Sequence, residues 1–289
     1  MELPVVVGAD GSEPSLRAVD WAADEAVLRG LPLRVVYASL WERYEGTSLA
    51  RDLHKPSEEV RAADIVDGAV RRAERRQPDV KVSGDVLAEE AEYALVREGR
   101  NATALVLGTR GRSGVAEALL GSVSLTVAGH ADCPVVVVRG NHDNQAATAV
   151  HGRVVVGVGE DQGEGAVVRF AVEEARRRGV PLEAVRAWRC PAHENADHPL
   201  LAGGPARVHE ERAAEVLEAA LADVPEDVRV RRVTVEGNAR RALVDLSHDA
   251  DLLVVGARRR HGSHGLQLGR VAHAVLHHSA CPVAVVPHA

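Results

Sequence analysis

The sequence predicts an α/β chain of two tandem domains, each a flavodoxin-sized, doubly wound layer around a five-stranded parallel sheet. The first observation is an internal repeat. Val5–Gly8 recurs as Val154–Gly157 at a spacing of 149 residues, and Cys133-Pro-Val recurs as Cys281-Pro-Val at 148. The second is an alternation, within each half, of short apolar runs with amphipathic stretches of helical period. This alternation is typical of a parallel sheet that is covered on both faces.

The repeat divides the chain at a polar connection. Residues 1–139 form the first predicted domain and residues 153–289 the second, and residues 140–152 are small and polar without an apolar period. Such a composition favours an exposed linker. Each half is close to the common size of a single domain, about 100 to 150 residues, and can bury its own core.

The elements of the first half follow from its apolar periods and its capping residues. Ser12 is expected to cap the first helix, Pro14 fits its first turn, and Gly30 is expected to end it. The predicted strands cover residues 5–7, 33–38, 80–86, 104–107 and 135–138. The later helices are predicted at residues 58–76, 90–99 and 122–130.

The second half repeats the same order of elements. Its predicted strands cover residues 154–158, 182–187, 228–235, 252–255 and 283–286, and its predicted helices cover residues 169–178, 207–222, 239–248 and 270–279. In sheets of this kind ligands bind beyond the carboxyl ends of the strands, where the winding reverses. The loops that open at Gly8 and Gly108 should therefore meet around one crevice.

Composition excludes several classes of function. The net charge is −7, with three Trp, three Tyr and one Phe, which argues against nucleic acid because binding it needs a basic face or stacking platforms. Apolar runs fall short of the ~18 residues that span a bilayer, and the start of the chain lacks a signal-peptide pattern. We therefore expect a cytoplasmic protein without membrane contact.

Cys133 and Cys281 are expected to be small buried thiols.

The segment Gly108-Thr-Arg-Gly111, followed by Gly121-Ser122 at the start of a helix, has the pattern of an anion-binding loop. Glycines let a backbone approach a ligand closely, and the N–H groups of a first helical turn bind negative oxygens. The segment is not a Walker A loop, which requires Gly-Lys-Ser/Thr.

With these motifs, the chain resembles a tandem universal stress protein. Val5-Val-Val-Gly-Ala-Asp-Gly-Ser12 is similar to the start of that family, Gly108 to Ser124 carries its nucleotide motif, and both halves end in Cys-Pro-Val-x-Val-Val. The resemblance implies two domains of the adenine nucleotide alpha hydrolase-like fold. It also implies that adenine nucleotide, ATP in particular, binds in the first half, with Mg²⁺ held by the phosphate oxygens rather than by side chains.

The resemblance assigns eight residues to the ATP site. Asp10 is implied near the ribose and phosphates, Ala38 as a backbone contact to adenine, and Val123 as a backbone N–H donor. The ribose and triphosphate cradle would comprise Gly108, Gly111, Gly121, Ser122 and Ser124. For Asp10 the alternative is a turn or helix-capping carboxylate, which the sequence Asp-Gly-Ser also favours.

The second half departs from this motif. Gly159 stands where the first half has Asp10, Asp161 where it has Ser12, Arg259 where it has Gly111, and Arg270 where it has Ser122. Three of these changes remove a ligand or fill the phosphate pocket, so we expect the second nucleotide site to be lost or much weakened, with bulky cations closing its crevice. The alternative is that Arg258, Arg259, Arg260 and Arg270 bind an anion through their guanidinium groups.

The leading function is an ATP-binding stress-response module. We do not expect an enzyme, because no base, activated nucleophile or arginine finger accompanies Gly108. Slow ATP hydrolysis is left open. One alternative is a structural or partner-binding protein that works without nucleotide. Another is an ATP-pyrophosphatase, whose Ser-Gly-Gly-x-Asp-Ser motif this chain lacks. His273 and His277 have a spacing that can hold a metal, but nothing nearby completes a ligand set.

The last strand of each half is apolar and is expected at a sheet edge, which is a liability unless it is paired. In the resembling family these edges pair about a two-fold axis. The resemblance therefore implies a pseudo-dimer of the two halves within one chain. A further homodimer is left open, and the protein partner is unknown.

Overall fold

The computed structural model describes residues 3–40, 58–109, 120–139, 151–160, 165–190, 204–258 and 268–288. They form two compact units, one with the described residues up to Arg139 and the other with those from His151 onward. Each unit is an α/β layer around a parallel sheet, so the predicted fold class is confirmed. Most of the predicted linker, residues 140–150, lies outside the described residues.

The first unit contains five strands and four helices among its described residues. In chain order they are β1 Val5–Gly8, α1 Glu13–Arg29, β2 Leu33–Ala38, α2 Glu58–Arg76, β3 Val82–Leu87, α3 Ala91–Glu98, β4 Ala104–Gly108, α4 Ser122–His130 and β5 Val135–Val138. The strands are parallel and lie in the order β3-β2-β1-β4-β5. The winding reverses between β1 and β4, where such sheets bind ligands.

The second unit repeats this order in its described part. Its elements are β6 Val154–Gly157, α5 Gly165–Arg178, β7 Leu182–Trp188, α6 Gly204–Ala220, β8 Val230–Glu236, α7 Ala239–Leu246, β9 Leu252–Arg258, α8 Arg270–His278 and β10 Val283–His288. The strand order is β10-β9-β6-β7-β8, again parallel. Its reversal point lies between β6 and β9.

The ends of α1 match their sequence signals. The Ser12 hydroxyl accepts a hydrogen bond from the Ser15 backbone N–H at 3.4 Å, which caps the first turn. Gly30 ends the helix in the left-handed conformation at φ +66°, which glycine adopts without steric cost. Gly179 has the same φ at the end of α5. Both predicted signals in the first half are confirmed.

Two strands begin later than predicted, and for the same reason. The predicted strand at residues 80–86 is observed as Val82–Leu87, and that at 228–235 as Val230–Glu236. The Val80 N–H donates to the Gln77 carbonyl at 3.2 Å, and the Val228 N–H donates to the Pro225 carbonyl at 3.1 Å. Each valine therefore belongs to a turn whose hydrogen bond competes with sheet pairing.

The central strands are buried on both faces, as expected for sheets between helical layers. Every residue of β5 is buried, and so is every residue of β4. Charged groups in the core are paired: Glu25 and Arg29 of α1 form a buried ion pair at 2.5 Å, and Glu174 and Arg178 form its counterpart in α5. Both units thus contain this ion pair, in which the arginine compensates for the hydration that the buried carboxylate loses.

The predicted thiols are buried: Cys133 is 5% exposed and Cys281 is fully inaccessible. Burial raises the pKa of the Cys281 thiol to about 12, because a thiolate would lose its hydration there. At pH 8 a thiol with that pKa is ionised in only about one molecule in ten thousand.

We therefore expect Cys281 to resist iodoacetamide at pH 8 in the folded protein, while the half-exposed Cys190 reacts. Peptide mass spectrometry after timed alkylation measures both rates, and protein unfolded in guanidinium supplies the control in which both react. Alkylation of native Cys281 as fast as Cys190 would contradict the expected burial effect.

Candidate functional site

A cavity of about 270 Å³ lies at the carboxyl ends of β1 and β4 in the first unit. Gly8, at the end of β1, and Gly108, at the end of β4, both line it. The expectation that these loops meet around one crevice is confirmed. The volume is close to the lower end of the range of small-molecule pockets, about 300 to 1,000 Å³.

The structure brings five of the eight assigned residues together around this cavity. They are Asp10, Ala38, Gly108, Val123 and Ser124. Gly121 and Ser122 are not among the lining residues, and Ser122 is exposed at the start of α4. Gly111 lies outside the described residues. The ends of β1, β2 and β4 and the first turn of α4 thus converge as the sequence predicted.

One side of the cavity is apolar. Tyr37 of β2, Leu95 of α3 and Leu107 of β4 are buried and line it, together with Ala91 at the start of α3. An apolar wall of this kind suits the flat ring of a base or another weakly polar group.

Gly108 is required by close packing rather than by backbone conformation. Its φ is not positive, but a Cβ at this position would lie 2.6 Å from the carbonyl carbon and oxygen of Pro14 and 2.9 Å from the Ser15 nitrogen. These atoms belong to the first turn of α1. The glycine therefore lets α1 begin directly against the end of β4, which shapes one edge of the cavity.

Ser124 contributes by position rather than as a donor to a ligand. Its hydroxyl is buried and donates to the Gly108 carbonyl at 2.7 Å, and the Gly121 N–H donates to the Thr109 carbonyl at 2.8 Å. These two bonds tie the start of α4 to the end of β4. The Ser124 proton is thus used within the protein, and the place of this residue in the ribose and triphosphate cradle stays a prediction.

Asp10 has the turn role that the sequence offered as one of two alternatives. Its Oδ1 accepts from the backbone N–H of Ser12 at 3.0 Å and from the Ser12 hydroxyl at 2.5 Å, as a turn carboxylate does. Its own N–H donates to the Ser15 hydroxyl at 3.2 Å. No described residue donates to Oδ2, so one oxygen fixes the loop and the other remains able to interact at the cavity.

Several lining residues were not predicted, including Ser15, Tyr37, Ser39, Ala91 and Leu95. Tyr37 and Ser39 flank Ala38 at the end of β2, and the rule that ligands lie beyond strand ends could have indicated them. Ala91 and Leu95 carry no local signal. Their place at the cavity depends on how α3 packs across the strand ends.

The second unit has a cavity of about 390 Å³ at the end of β7 and the starts of α7 and α8. Its lining includes five arginines and one glutamate: Arg186, Arg189, Arg212, Arg240, Arg270 and Glu160. The prediction that bulky cations close the second nucleotide crevice stays a prediction, because the described lining of this cavity includes no residue of β6 or β9. Arg270 lines the cavity with an exposed side chain. Arg258 is exposed and does not line it, and Asp161, Arg259 and Arg260 lie outside the described residues.

The described residues also bear on metal binding and on membrane contact. Within them, no group of three His, Cys, Asp or Glu side chains could hold a metal ion. The rings of His273 and His277 stack with their centroids 4.5 Å apart. No helix in the described ranges is both long and apolar enough to cross a membrane.

These observations define a doubly wound α/β protein with a duplicated unit, a ligand-sized crevice at the reversal point of the first sheet and a second cavity at the end of β7. The model of the universal stress protein family matches residues 2–139 and again residues 151–287. The chain belongs to the universal stress protein family, in its tandem two-domain form.

Relatives of similar length support this assignment. A universal stress protein of Mycobacterium tuberculosis is 33% identical over 303 residues, covering 98% of this chain and 94% of its own, and a second from that organism is 32% identical over 301 residues, covering 97% and 96%. The crystal structure of a universal stress protein from Archaeoglobus fulgidus has a TM-score of 0.70 at 17% identity and covers 98% of both chains. That structure supports the fold.

Proposed function

We propose that the first unit binds an adenine nucleotide, ATP in particular, and that the chain acts as a cytoplasmic stress-response regulatory module with little or no ATP hydrolysis. One observation carries the proposal: an apolar wall, open backbone groups and the first turn of a helix meet around the 270 Å³ cavity. These are the three kinds of surface that a base, its polar edge and a phosphate chain need.

The backbone of Ala38 supports recognition of adenine. The last pairing of β2 with β1 is Val36 with Gly8, where the Ala9 N–H donates to the Val36 carbonyl. The Ser39 N–H donates to Leu87 on the other side of β2. Because bonding directions alternate along a strand, the N–H and C=O of Ala38 point to the β1 side, beyond the end of the pairing. One donor and one acceptor are thus offered to the edge of a base.

The start of α4 supports binding of the phosphates. The first N–H groups of a helix have no carbonyl within the helix to bind, and the helix dipole adds a partial positive charge at this end. Val123, in the first turn of α4, lines the cavity. An anionic oxygen placed there would accept these N–H groups without any basic side chain.

The described residues fit a divalent cation only as a partner of the phosphates. No group of three potential ligand side chains exists among them, so Mg²⁺ would be held chiefly by phosphate oxygens. The Oδ2 atom of Asp10, which accepts no hydrogen bond from a described residue, would be the carboxylate oxygen at the cavity. A carboxylate oxygen is the kind of ligand that Mg²⁺ prefers.

The lining of the cavity supports binding without fast chemistry. Asp10 and Tyr37 are the titratable side chains among its described lining residues, and no Lys, Arg or His accompanies them. Phosphoryl transfer normally relies on cationic groups that stabilise the transition-state charge. We expect phosphate release from ATP to be far slower than the ~1–10³ s⁻¹ typical of enzymes.

The test is the pair of variants Ala91→Phe and Ala239→Phe. Ala91 lines the first cavity, and Ala239 occupies the equivalent place in the second. A phenyl ring at 91 would occupy space that the base needs, so we expect at least about a tenfold loss of ATP affinity by isothermal titration calorimetry, or about 1.4 kcal/mol. Ala239→Phe, which alters only the second cavity, is expected to leave the ATP affinity of the first site unchanged.

Circular dichroism and thermal unfolding of both variants check that the fold is retained. If the wild type does not bind ATP, or if Ala91→Phe binds it as tightly as the wild type, the nucleotide site is misassigned. A structural or partner-binding role without nucleotide would then be the better description of the first unit.

A further inference from the structure

The crevice of the second unit is basic, although the chain as a whole carries a net charge of −7. The described lining of its cavity of about 390 Å³ contains five arginines and one glutamate, whereas the described lining of the first crevice contains no arginine. A concave site that concentrates one sign of charge focuses the electrostatic field and attracts ligands of the opposite sign.

The arginines reach this crevice from four separate elements. Arg186 and Arg189 come from the end of β7 and the residue after it, Arg212 from α6, Arg240 from the start of α7, and Arg270 from the start of α8. These elements are far apart in sequence. The concentration of charge is therefore a product of the fold rather than of a basic segment.

Most of these guanidinium groups have no anionic partner among the described residues. Arg186 pairs with Glu160 at 2.5 Å. Arg189 donates to the Gly237 carbonyl at 3.2 Å, and Arg240 donates to the Asn238 side-chain oxygen at 3.4 Å. Among the described residues, no carboxylate lies within 4.0 Å of the guanidinium nitrogens of the other four arginines that line the crevice. These like charges repel one another, and a bound anion would relieve that repulsion.

The position equivalent to Tyr37 indicates that the second crevice recognises charge rather than a base. In the first unit Tyr37 forms part of the apolar wall, but in the second unit this place belongs to Arg186. Arg186 is 14% exposed, and its Nη1 donates to the Val158 carbonyl at 3.1 Å. Its buried Nε–H has no acceptor among the described residues. A cation with unused donor capacity therefore replaces an apolar surface.

We propose that the second crevice binds a small ligand with at least two phosphate groups, held by guanidinium side chains and without a requirement for adenine. Guanidinium groups bind phosphate oxygens through paired, charge-assisted hydrogen bonds. Arginines from four elements surround a cavity large enough for more than one phosphate. A ligand with several phosphate groups offers enough anionic oxygens for guanidinium groups from four elements.

The test uses tripolyphosphate, which carries the charge but no base, and isothermal titration calorimetry on the full chain. The crevice variant combines Arg212→Gln with Arg270→Gln. The matched control combines Arg231→Gln with Arg241→Gln, which removes the same charge from exposed positions of the same unit that do not line the crevice. We expect the crevice variant to bind at least about tenfold more weakly and the control within about twofold of the wild type.

Raising the salt concentration from about 50 to about 500 mM should also weaken binding, because exposed charges are screened. The proposal is overturned if the wild type does not bind tripolyphosphate, if the crevice variant binds it as the wild type does, or if both double variants lose affinity equally.

The Ala91→Phe background separates this site from the first crevice. Tripolyphosphate affinity is expected to persist there, and its loss would assign the binding to the first unit instead. In the same background, ATP and tripolyphosphate should bind with affinities within about tenfold of each other. A much tighter binding of ATP would show that the base is recognised and would overturn the adenine-independent part of the proposal.

Discussion

The variant Gly108→Ala is expected to lose about 3 kcal/mol of unfolding free energy in the first unit. The added Cβ would lie 2.6 Å from the carbonyl carbon and oxygen of Pro14. Both are backbone atoms of the capped first turn of α1, so relief requires the whole helix end to move. Overpacking of this kind typically costs about 1–3 kcal/mol and occasionally more, and a rigid backbone wall places this position at the upper end.

Two glycines provide matched controls. Gly68 lies within α2 and a Cβ there meets nothing within 4 Å, so Gly68→Ala should stabilise the unit by up to about 1 kcal/mol. Gly256 is the equivalent of Gly108, but its Cβ would meet the His288 ring at 2.9 Å and a Val167 methyl at 3.1 Å. Side chains can shift more easily than backbone, so Gly256→Ala should lower the free energy of unfolding less than Gly108→Ala does.

Differential scanning calorimetry measures all three variants on the full chain, at about 3 °C of midpoint shift per kcal/mol for a unit of this size. A Gly108→Ala protein that unfolds at the wild-type temperature would show that α1 does not pack against β4 as described. A smaller loss in Gly108→Ala than in Gly256→Ala would contradict the distinction between the two contacts.

The variant Arg72→Ala is expected to lose about 3 kcal/mol of unfolding free energy, as much as Gly108→Ala. Arg72 of α2 donates from Nε and Nη2 to the two oxygens of Asp20 in α1, at 2.7 and 2.6 Å. These hydrogen bonds raise the pKa of the Arg72 guanidinium above its usual value. The Asp20 side chain is only 6% exposed. Removing the arginine leaves this carboxylate buried without its partner, which typically costs about 3–5 kcal/mol when burial is complete.

The matched control is Arg207→Ala in α6. Arg207 also pairs with a carboxylate, that of Glu211, at 2.7 Å, but its side chain is 78% exposed. Exposed pairs contribute little to stability, because water solvates either partner when the other is removed. Unfolding in urea, followed by circular dichroism, compares the two variants. If both variants lose the same unfolding free energy, the burial of Asp20 does not determine how much stability is lost.

Much of the fold could be predicted because its signals are local or periodic. The repeat, the alternation of apolar runs with helical stretches, and the capping residues Ser12 and Gly30 each act over one or a few turns. The predicted helices at residues 58–76 and 122–130 match α2 and α4. The late starts of β3 and β8 escaped prediction because they depend on single turn hydrogen bonds.

The candidate site was predicted in part. Asp10, Ala38, Gly108, Val123 and Ser124 meet at one cavity, because parallel strands of known order bring their carboxyl ends together. The use of the Ser124 hydroxyl was not predicted. A serine in a first helical turn can donate to a ligand or to a neighbouring carbonyl, and only the 2.7 Å contact with Gly108 distinguishes the two.

The sequence by itself determined the duplication, the parallel α/β class and the end of the first sheet at which a ligand would bind, because each depends on short-range pattern and chain order. Only the tertiary structure decided the character of the second crevice. Arg212 and Arg240, taken alone, are ordinary charged residues on helix surfaces, and Arg186 is one residue of a strand. Their convergence on one cavity depends on how α6, α7 and β7 pack, and no local pattern encodes distances between elements so far apart in the chain.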